Sequence, residues 1–94
     1  MKKVIARKKP VEIEAMQWDG TLETATALQE WGRNYAASIL TGYKDPTSLN
    51  IFTREGKMSA PKGNWVIKGV KNEFYSCDPD IFDQTYEIVH TEET

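Results

Sequence analysis

The sequence predicts a small α+β domain, rich in β-structure, in which short and mostly antiparallel strands form a curled sheet or barrel with one packed helix. An apolar stripe with helical spacing occurs only over about residues 21–31. Elsewhere, brief apolar or β-branched runs alternate with turns rich in Gly, Pro, Asp and Asn. Because 94 residues are enough for one modest core, we expect residues 1–94 to form a single domain.

The first expected element is an extended segment over residues 4–18, interrupted near Pro10. From residue 11 to residue 15, apolar side chains alternate with glutamates, as in a half-buried strand. Met16 and Trp18 are also apolar, but in a regular strand they would point to the opposite face from residues 11, 13 and 15. We therefore expect a bulge that turns both side chains back towards the core.

The helix is marked by signals at both ends. Thr21 is a good N-cap, and Glu23 in the first turn suits the helix dipole. Gly32 is typical of the position just after a helix. The apolar stripe that should face the core consists of Leu22, Ala25, Leu28 and Trp31.

Short strands are expected along the rest of the chain, over residues 35–40, 49–53, 57–60, 65–68, 73–77 and 85–89. Before the last of these, which would close the sheet, Asp78 and Pro79 are typical of the N-cap and first residue of a helix. A short helical turn is therefore predicted near residues 78–83. So many short strands leave edges to be covered or paired, which favours a homo-oligomer built through edge strands.

A register can be predicted for the hairpin of residues 65–77. If its loop has four residues, Ile67 faces Phe74, and both join the core face of the sheet. Lys68 then faces Glu73 as an ion pair on the opposite face.

The charges are divided unevenly along the chain. Residues 1–9 carry five positive charges, and the remainder carries seven positive and fourteen negative charges, a net of −7. The basic arm can be interpreted as a solvated edge strand that discourages strand addition, or as a segment that contacts phosphate. Because the body is acidic and would repel a polyanion, we do not expect nucleic acid as a partner.

The sequence lacks the motifs of several enzyme classes: the P-loop, the dinucleotide-binding glycine motif, H-E-x-x-H and C-x-x-C. Cys77 and His90 form a conceivable nucleophile pair, but His90 stands in a polar end segment, so we expect an inert, buried Cys77. Helix capping explains the aspartates of residues 78–83 without a metal ion. We therefore expect no catalytic residue, no metal and no cofactor, with a small hydrolase as the enzymatic alternative.

One hairpin combines aromatic and cationic side chains within fourteen residues. Aromatic faces stack on planar groups and ammonium groups hold phosphates, so this combination suits a small anionic ligand such as a nucleotide. The alternative is that Trp65 packs in the core and that the lysines are solvated or paired. The candidate ligand-binding residues are Lys62, Trp65, Lys68, Lys71 and Tyr75.

Two blocks of the sequence resemble a family of small accessory proteins encoded by tailed phages and prophages. They are residues 7–18 (RKKPVEIEAMQW) and residues 61–82 (PKGNWVIKGVKNEFYSCDPDIF), the latter followed by Thr85-Tyr86-Glu87. The family often has P-G-D at residues 62–64 and a proline at Ser76, and this chain departs from both. The resemblance implies a setting, the cytoplasm of an infected or lysogenic bacterium, and it supplies no catalytic residues that could be carried over to this chain.

Accessory proteins of this size commonly act by binding. The first hypothesis is a sponge that sequesters a nucleotide-type immune signal made by the host. The alternative is a protein-binding module that inhibits or redirects a host or phage protein through an exposed sheet edge. The sequence has no apolar run of the roughly 20 residues that span a membrane and no signal-peptide pattern, so we expect no membrane contact.

Overall fold

The computed structural model describes residues 2–42 and 44–92, which form two three-stranded antiparallel sheets and two helices. The α+β prediction is confirmed, and neither sheet closes into a barrel. Sheet A has the strand order β1-β5-β6 and sheet B the order β2-β3-β4. In chain order the elements are β1 (Glu14–Gln17), α1 (Leu22–Arg33), β2 (Ser38–Thr41), β3 (Leu49–Thr53), β4 (Gly56–Ala60), β5 (Trp65–Lys68), β6 (Phe74–Cys77) and α2 (Pro79–Thr85).

Helix α1 begins where the sequence predicts. The Thr21 hydroxyl accepts a hydrogen bond from the Thr24 N–H at 3.2 Å, so Thr21 is the N-cap. Leu28 is fully buried, but Leu22 is 83% exposed. The predicted stripe is therefore wrong at Leu22, which stands in the first turn, ahead of the part of the helix that packs against the sheets.

Gly32 lies inside α1 and not after it, because the helix continues to an Asn34 C-cap. A Cβ atom on Gly32 would stand 2.9 Å from two side-chain carbons of Ile39, closer than normal packing allows. The glycine therefore permits a close approach of α1 to β2. The left-handed conformation that ends the segment is adopted by Ala36, with φ of 61°.

Both faces of sheet A are covered, which explains why the first strand has apolar residues on both of its faces. β1 pairs with β5 in a regular register, Met16 opposite Val66 and Ala15 opposite Ile67. Met16 packs against the main core and Ala15 is half-buried on the other face. The expected bulge does not form, because a strand buried on both sides needs none.

The predicted register of the β5–β6 hairpin is wrong by one residue. Phe74 pairs with Lys68, and Tyr75 pairs with Ile67. The Gly69 N–H donates to the Glu73 carbonyl oxygen at 2.8 Å, and Asn72 is left-handed with φ of 62°. This is a three-residue connection between a Gly69–Glu73 pair, and the change from four residues to three moves Phe74 to the other face.

The main core lies between α1, sheet B and one face of sheet A. Trp18 is fully buried in it, and its indole N–H donates to the Thr47 carbonyl oxygen at 2.9 Å. The backbone of Trp18 also bonds to the turn after β4, through Asn64 and Gly63. The buried residues of the main core are Trp18, Leu28, Ala37, Ile39, Leu49, Ile51, Ala60, Val66 and Phe74.

The two ends of the chain differ from the prediction. The expected closing strand over residues 85–89 does not form, since α2 runs to Thr85 and the Tyr86 N–H donates to the Phe82 carbonyl oxygen. The Asp78 carboxylate accepts from the Asp80 N–H at 2.9 Å, so the predicted N-cap is confirmed. Residues 2–13 form no strand, and so the arm is not an edge strand. Among the residues described, neither helix is long and apolar enough to cross a membrane.

Two leucines of α1 provide a matched test of this packing. Leu28→Ala should lower the free energy of unfolding by about 2–4 kcal/mol, because it leaves a cavity in the core. Leu22→Ala, the same substitution on the same helix, should change it by less than about 0.5 kcal/mol, because the side chain is exposed. Urea unfolding of both variants measures the difference, and similar losses for the two would contradict the observed helix orientation.

Candidate functional site

Two of the five predicted ligand-binding residues share one face of sheet A. Trp65 stacks on Phe82 of α2, with ring centroids 4.2 Å apart and planes at 10°. The Tyr75 and Tyr86 hydroxyl oxygens are 3.2 Å apart. Both predicted aromatic residues are therefore half-buried, and α2 and the residue after it occupy their faces.

The environment of Tyr75 changes its acidity. Burial in this aromatic cluster, and secondly the hydrogen bond with Tyr86, raise the pKa of the Tyr75 hydroxyl. The ammonium group of Lys8 lies 5.2 Å from the centre of the Tyr86 ring, so the basic arm passes the same cluster.

Lys68 projects from the opposite face of sheet A. Its ammonium nitrogen lies 4.3 Å from the centre of the Tyr35 ring, 3.3 Å from the Asn72 Oδ1 atom and 3.6 Å from a Glu14 carboxylate oxygen. The side chain is only 11% exposed. The predicted Lys68–Glu73 pair is wrong, because Glu73 folds over Gly69 and accepts a hydrogen bond from the Lys71 N–H at 3.1 Å.

The remaining two lysines are exposed and lie in different turns. Lys71 stands in the β5–β6 connection. Lys62 follows β4 and lines an open groove of about 430 Å³ together with Asp45, three small hydroxyl residues, an alanine and a proline. The Asp45 carboxylate accepts from the Thr47 hydroxyl and N–H, and these bonds lower its pKa. No aromatic residue lines the groove within the part of the chain that the structure describes.

The five residues therefore do not line one described pocket. The structure brings Trp65 and Tyr75 together, and it places Lys68 on the other face of the sheet and Lys62 and Lys71 in separate turns. The binding of an anionic ligand by these residues stays a prediction.

Cys77 is half-buried, and burial raises the pKa of its thiol, with Asp78 as the lesser cause. A raised pKa reduces the thiolate fraction at neutral pH. Within residues 2–42 and 44–92, no three His, Cys, Asp or Glu side chains come together as a metal-ion site would need.

The outer face of sheet B is uncovered by any described element. Leu40 and Phe52 are 43% and 42% exposed on this face. Among the described strand positions on this face, the one charged side chain is Lys57, whose ammonium nitrogen lies 5.9 Å from the centre of the Phe52 ring. The outward-facing positions are Ser38, Leu40, Asn50, Phe52, Lys57 and Ser59.

Strand β2 is an edge strand of this sheet. The Gly42 N–H donates to the Ser48 carbonyl oxygen, one step beyond the β2–β3 ladder. Because hydrogen-bonded pairs alternate in an antiparallel ladder, Ser38 and Leu40 bond to β3. The N–H and C=O groups of Ile39 and Thr41 then point away from β3. Ile39 is fully buried, so of these two residues only half-buried Thr41 is open to solvent.

The other three edge strands are less open. β4 and β6 lie against each other, and β1 carries Glu14 and follows the proline and charges of the arm. β2 has the uncharged sequence Ser-Ile-Leu-Thr. A cleft of about 90 Å³ runs beside it, with walls formed by Gln29 and Arg33 of α1 and by residues 37–40.

Sequence reasoning missed this edge. In the sequence, Ser38 and Leu40 alternate with the apolar residues Ala37 and Ile39. This pattern indicates a half-buried strand, but it does not indicate that the strand lies at an edge. Which strand ends up at an edge depends on the sheet order, which no local pattern contains.

The chain matches no model of a known protein family, no curated protein and no solved structure. The interpretation of the site therefore depends on its own geometry.

The raised pKa of Tyr75 predicts a loss of stability in alkali. The folded protein holds the Tyr75 proton more tightly than the unfolded chain, whose tyrosines ionise near pH 10. Stability from this group is therefore fully present below about pH 10 and is lost as the pH rises above it, by at most about 1.4 kcal/mol per pH unit.

Urea unfolding at pH 8 and at about pH 10.5 measures this effect. The free energy of unfolding should fall less in Tyr75→Phe than in the unsubstituted protein, because the variant lacks the ionising hydroxyl. Equal falls in the two proteins would show that the Tyr75–Tyr86 contact does not protect the proton.

Proposed function

We propose that the protein is a non-enzymatic binding protein that recognises another protein by pairing an extended segment of it with the edge strand β2 at Thr41. The observation that carries this proposal is the outward-pointing main chain of Thr41, the half-buried last residue of β2. An edge strand with unpaired N–H and C=O groups is a template for strand addition, and the main-chain bonds supply affinity.

The surface beside the edge supports the same function. Exposed Leu40 and Phe52 provide apolar contact area next to the added strand, and the cleft at α1 provides a pocket on the other side. Alternate side chains of an added strand would therefore each meet a distinct surface, which is how such sites select a sequence.

The biological setting in this proposal comes from the sequence. The two blocks that resemble phage and prophage accessory proteins favour a partner from the phage or from its bacterial host, in the bacterial cytoplasm. In that setting the protein acts by occupying or redirecting its partner.

Selection from a random peptide library displayed on phage, followed by NMR titration of the isotope-labelled protein with the selected peptides, tests the proposal. The largest amide shifts should occur at Thr41 and beside it, at the exposed end of β2, and exchange of the Thr41 amide proton with solvent should slow on binding. Both effects are expected because new main-chain hydrogen bonds form there.

Two variants of one residue serve as the matched pair. Thr41→Pro removes an outward N–H at an edge position, where proline is tolerated, and should abolish peptide binding. Thr41→Val keeps the N–H and should bind normally. Melting curves of both establish that they fold.

Two outcomes would overturn the proposal. One is that selected peptides perturb another surface and bind Thr41→Pro normally. The other is that a panel of cyclic and ADP-ribose nucleotides binds more tightly than about 10 μM (~7 kcal/mol), with the affinity lost in Lys62→Ala or Lys71→Ala. That second result would favour the nucleotide sponge.

A further inference from the structure

We infer that two copies of this chain pair along strand β1, antiparallel and about a twofold axis, so that their two three-stranded sheets A join into one sheet. This inference goes beyond the proposed function and does not depend on it, because it concerns an edge of the other sheet. The surface involved is the outer edge of β1.

The main chain of β1 is available for pairing in the middle of the strand. Of the described strands, only β5 pairs with it. The Trp18 N–H donates to the Asn64 carbonyl oxygen at 2.9 Å, one step beyond the β1–β5 ladder. Because hydrogen-bonded pairs alternate, Met16 bonds to β5, and the N–H and C=O groups of Ala15 and Gln17 point away from it. Ala15 is half-buried and Gln17 is exposed, so solvent reaches both residues.

The hydrogen bonds on the other side of β5 lead to the same assignment. The Gly69 N–H donates to the Glu73 carbonyl oxygen of the β5–β6 hairpin, so Val66 turns its main chain towards β1. The partner of Val66 in β1 is Met16. Both ladders therefore place the N–H and C=O groups of Ala15 on the outer side of sheet A.

The charges favour a second copy as the partner and determine its direction. The basic arm, residues 2–9, precedes β1, whereas Asp19 and Glu23 follow it and are exposed. In an antiparallel pair, the arm of each copy passes the end of β1 in the other copy, where these carboxylates lie. A parallel pair would bring the two basic arms together. A strand without a basic arm lacks this complementarity and meets a charged edge.

The register follows from the glutamate of β1 and from the turn after the strand. A twofold axis at Ala15 pairs Ala15 with the same residue of the other copy, and Glu14 with Met16. An axis one residue earlier would place the two Glu14 side chains opposite each other, which is destabilising. An axis one residue later would shorten the ladder, because the chain turns away at Gly20, with φ of 83°. The Glu14 carboxylate keeps a counter-charge within its own copy, 3.6 Å from the Lys68 ammonium nitrogen.

Sedimentation equilibrium of the full chain tests the association. A seam of one short strand is small for a stable dimer, so the dimer should form progressively over protein concentrations of about 10 μM to 1 mM. Raising the salt concentration should weaken it, because salt screens the attraction between the arm and the exposed carboxylates.

Two matched pairs of variants test the seam. Ala15→Pro removes an outward N–H at an edge position and should weaken the dimer at least about tenfold, since the twofold axis removes two hydrogen bonds at once. Ala15→Ser keeps the N–H and should associate normally. Glu23→Gln should weaken the dimer about threefold. Glu30→Gln, two turns further along α1, changes the net charge equally and should have no effect.

Isotope-filtered NMR of the unsubstituted protein, with labelled and unlabelled chains mixed, tests the register without any variant. Glu14 and Met16 of different copies form a non-hydrogen-bonded pair, whose α-protons lie close together. A nuclear Overhauser effect between these two α-protons is therefore expected across the copies. A dimer without this effect would overturn the inferred seam, whether or not Ala15→Pro folds.

The outcomes are independent of the proposed function. Thr41→Pro, which should abolish peptide binding at β2, should dimerise normally, and Ala15→Pro should bind the selected peptides normally. A protein that stays monomeric up to about 1 mM would overturn the inference. A dimer that survives in folded Ala15→Pro and is lost in Thr41→Pro would also overturn it, because the seam would then lie at β2.

Discussion

The three-residue connection between β5 and β6 determines which side chains lie on which face of sheet A. The Gly69–Glu73 pair closes the connection, and Asn72 adopts the left-handed conformation that such a loop needs. Glu73 lies so close over Gly69 that a Cβ there would collide with its carboxylate. Because side chains alternate along a strand, this loop sends Phe74 into the main core and Tyr75 to the opposite face.

The division of faces has consequences for the whole molecule. Phe74 meets Trp31 of α1 edge-on, with ring centroids 5.0 Å apart, and so links sheet A to the helix. Trp65 and Tyr75 meet the side chains of Phe82 and Tyr86, which hold α2 on the far face. Both faces of sheet A are thereby packed against other parts of the chain, whereas the outer face of sheet B stays uncovered beside the edge strand β2. The proposed binding surface is the part of the molecule that this arrangement leaves open.

The sequence predicted correctly those features that depend on interactions between neighbouring residues. The N-caps Thr21 and Asp78 bond to backbone groups within three residues, and β3 and β5 have the predicted bounds. The errors arise where a distant contact decides. The position of Leu22 depends on where α1 meets the sheets, and Gly32 serves the approach of Ile39.

The candidate site was less predictable than the fold. The composition of residues 69–73 fits a loop of four residues and a loop of three residues equally well. The two loop lengths place the aromatic and cationic residues of the hairpin on different faces. In the observed loop the Glu73 side chain lies over Gly69, a contact that is visible only in three dimensions. The edge position of β2 depends on the order of all the strands in sheet B.

Nuclear Overhauser effects between α-protons across β5 and β6 test the register most directly. Since Gly69 and Glu73 form a hydrogen-bonded pair, the next pair, Lys68 and Phe74, is a non-hydrogen-bonded one, whose α-protons lie close together. Strong effects are expected between Lys68 and Phe74 and between Val66 and Ser76. Strong effects between Ile67 and Phe74 instead would show the shifted register and contradict the division of faces.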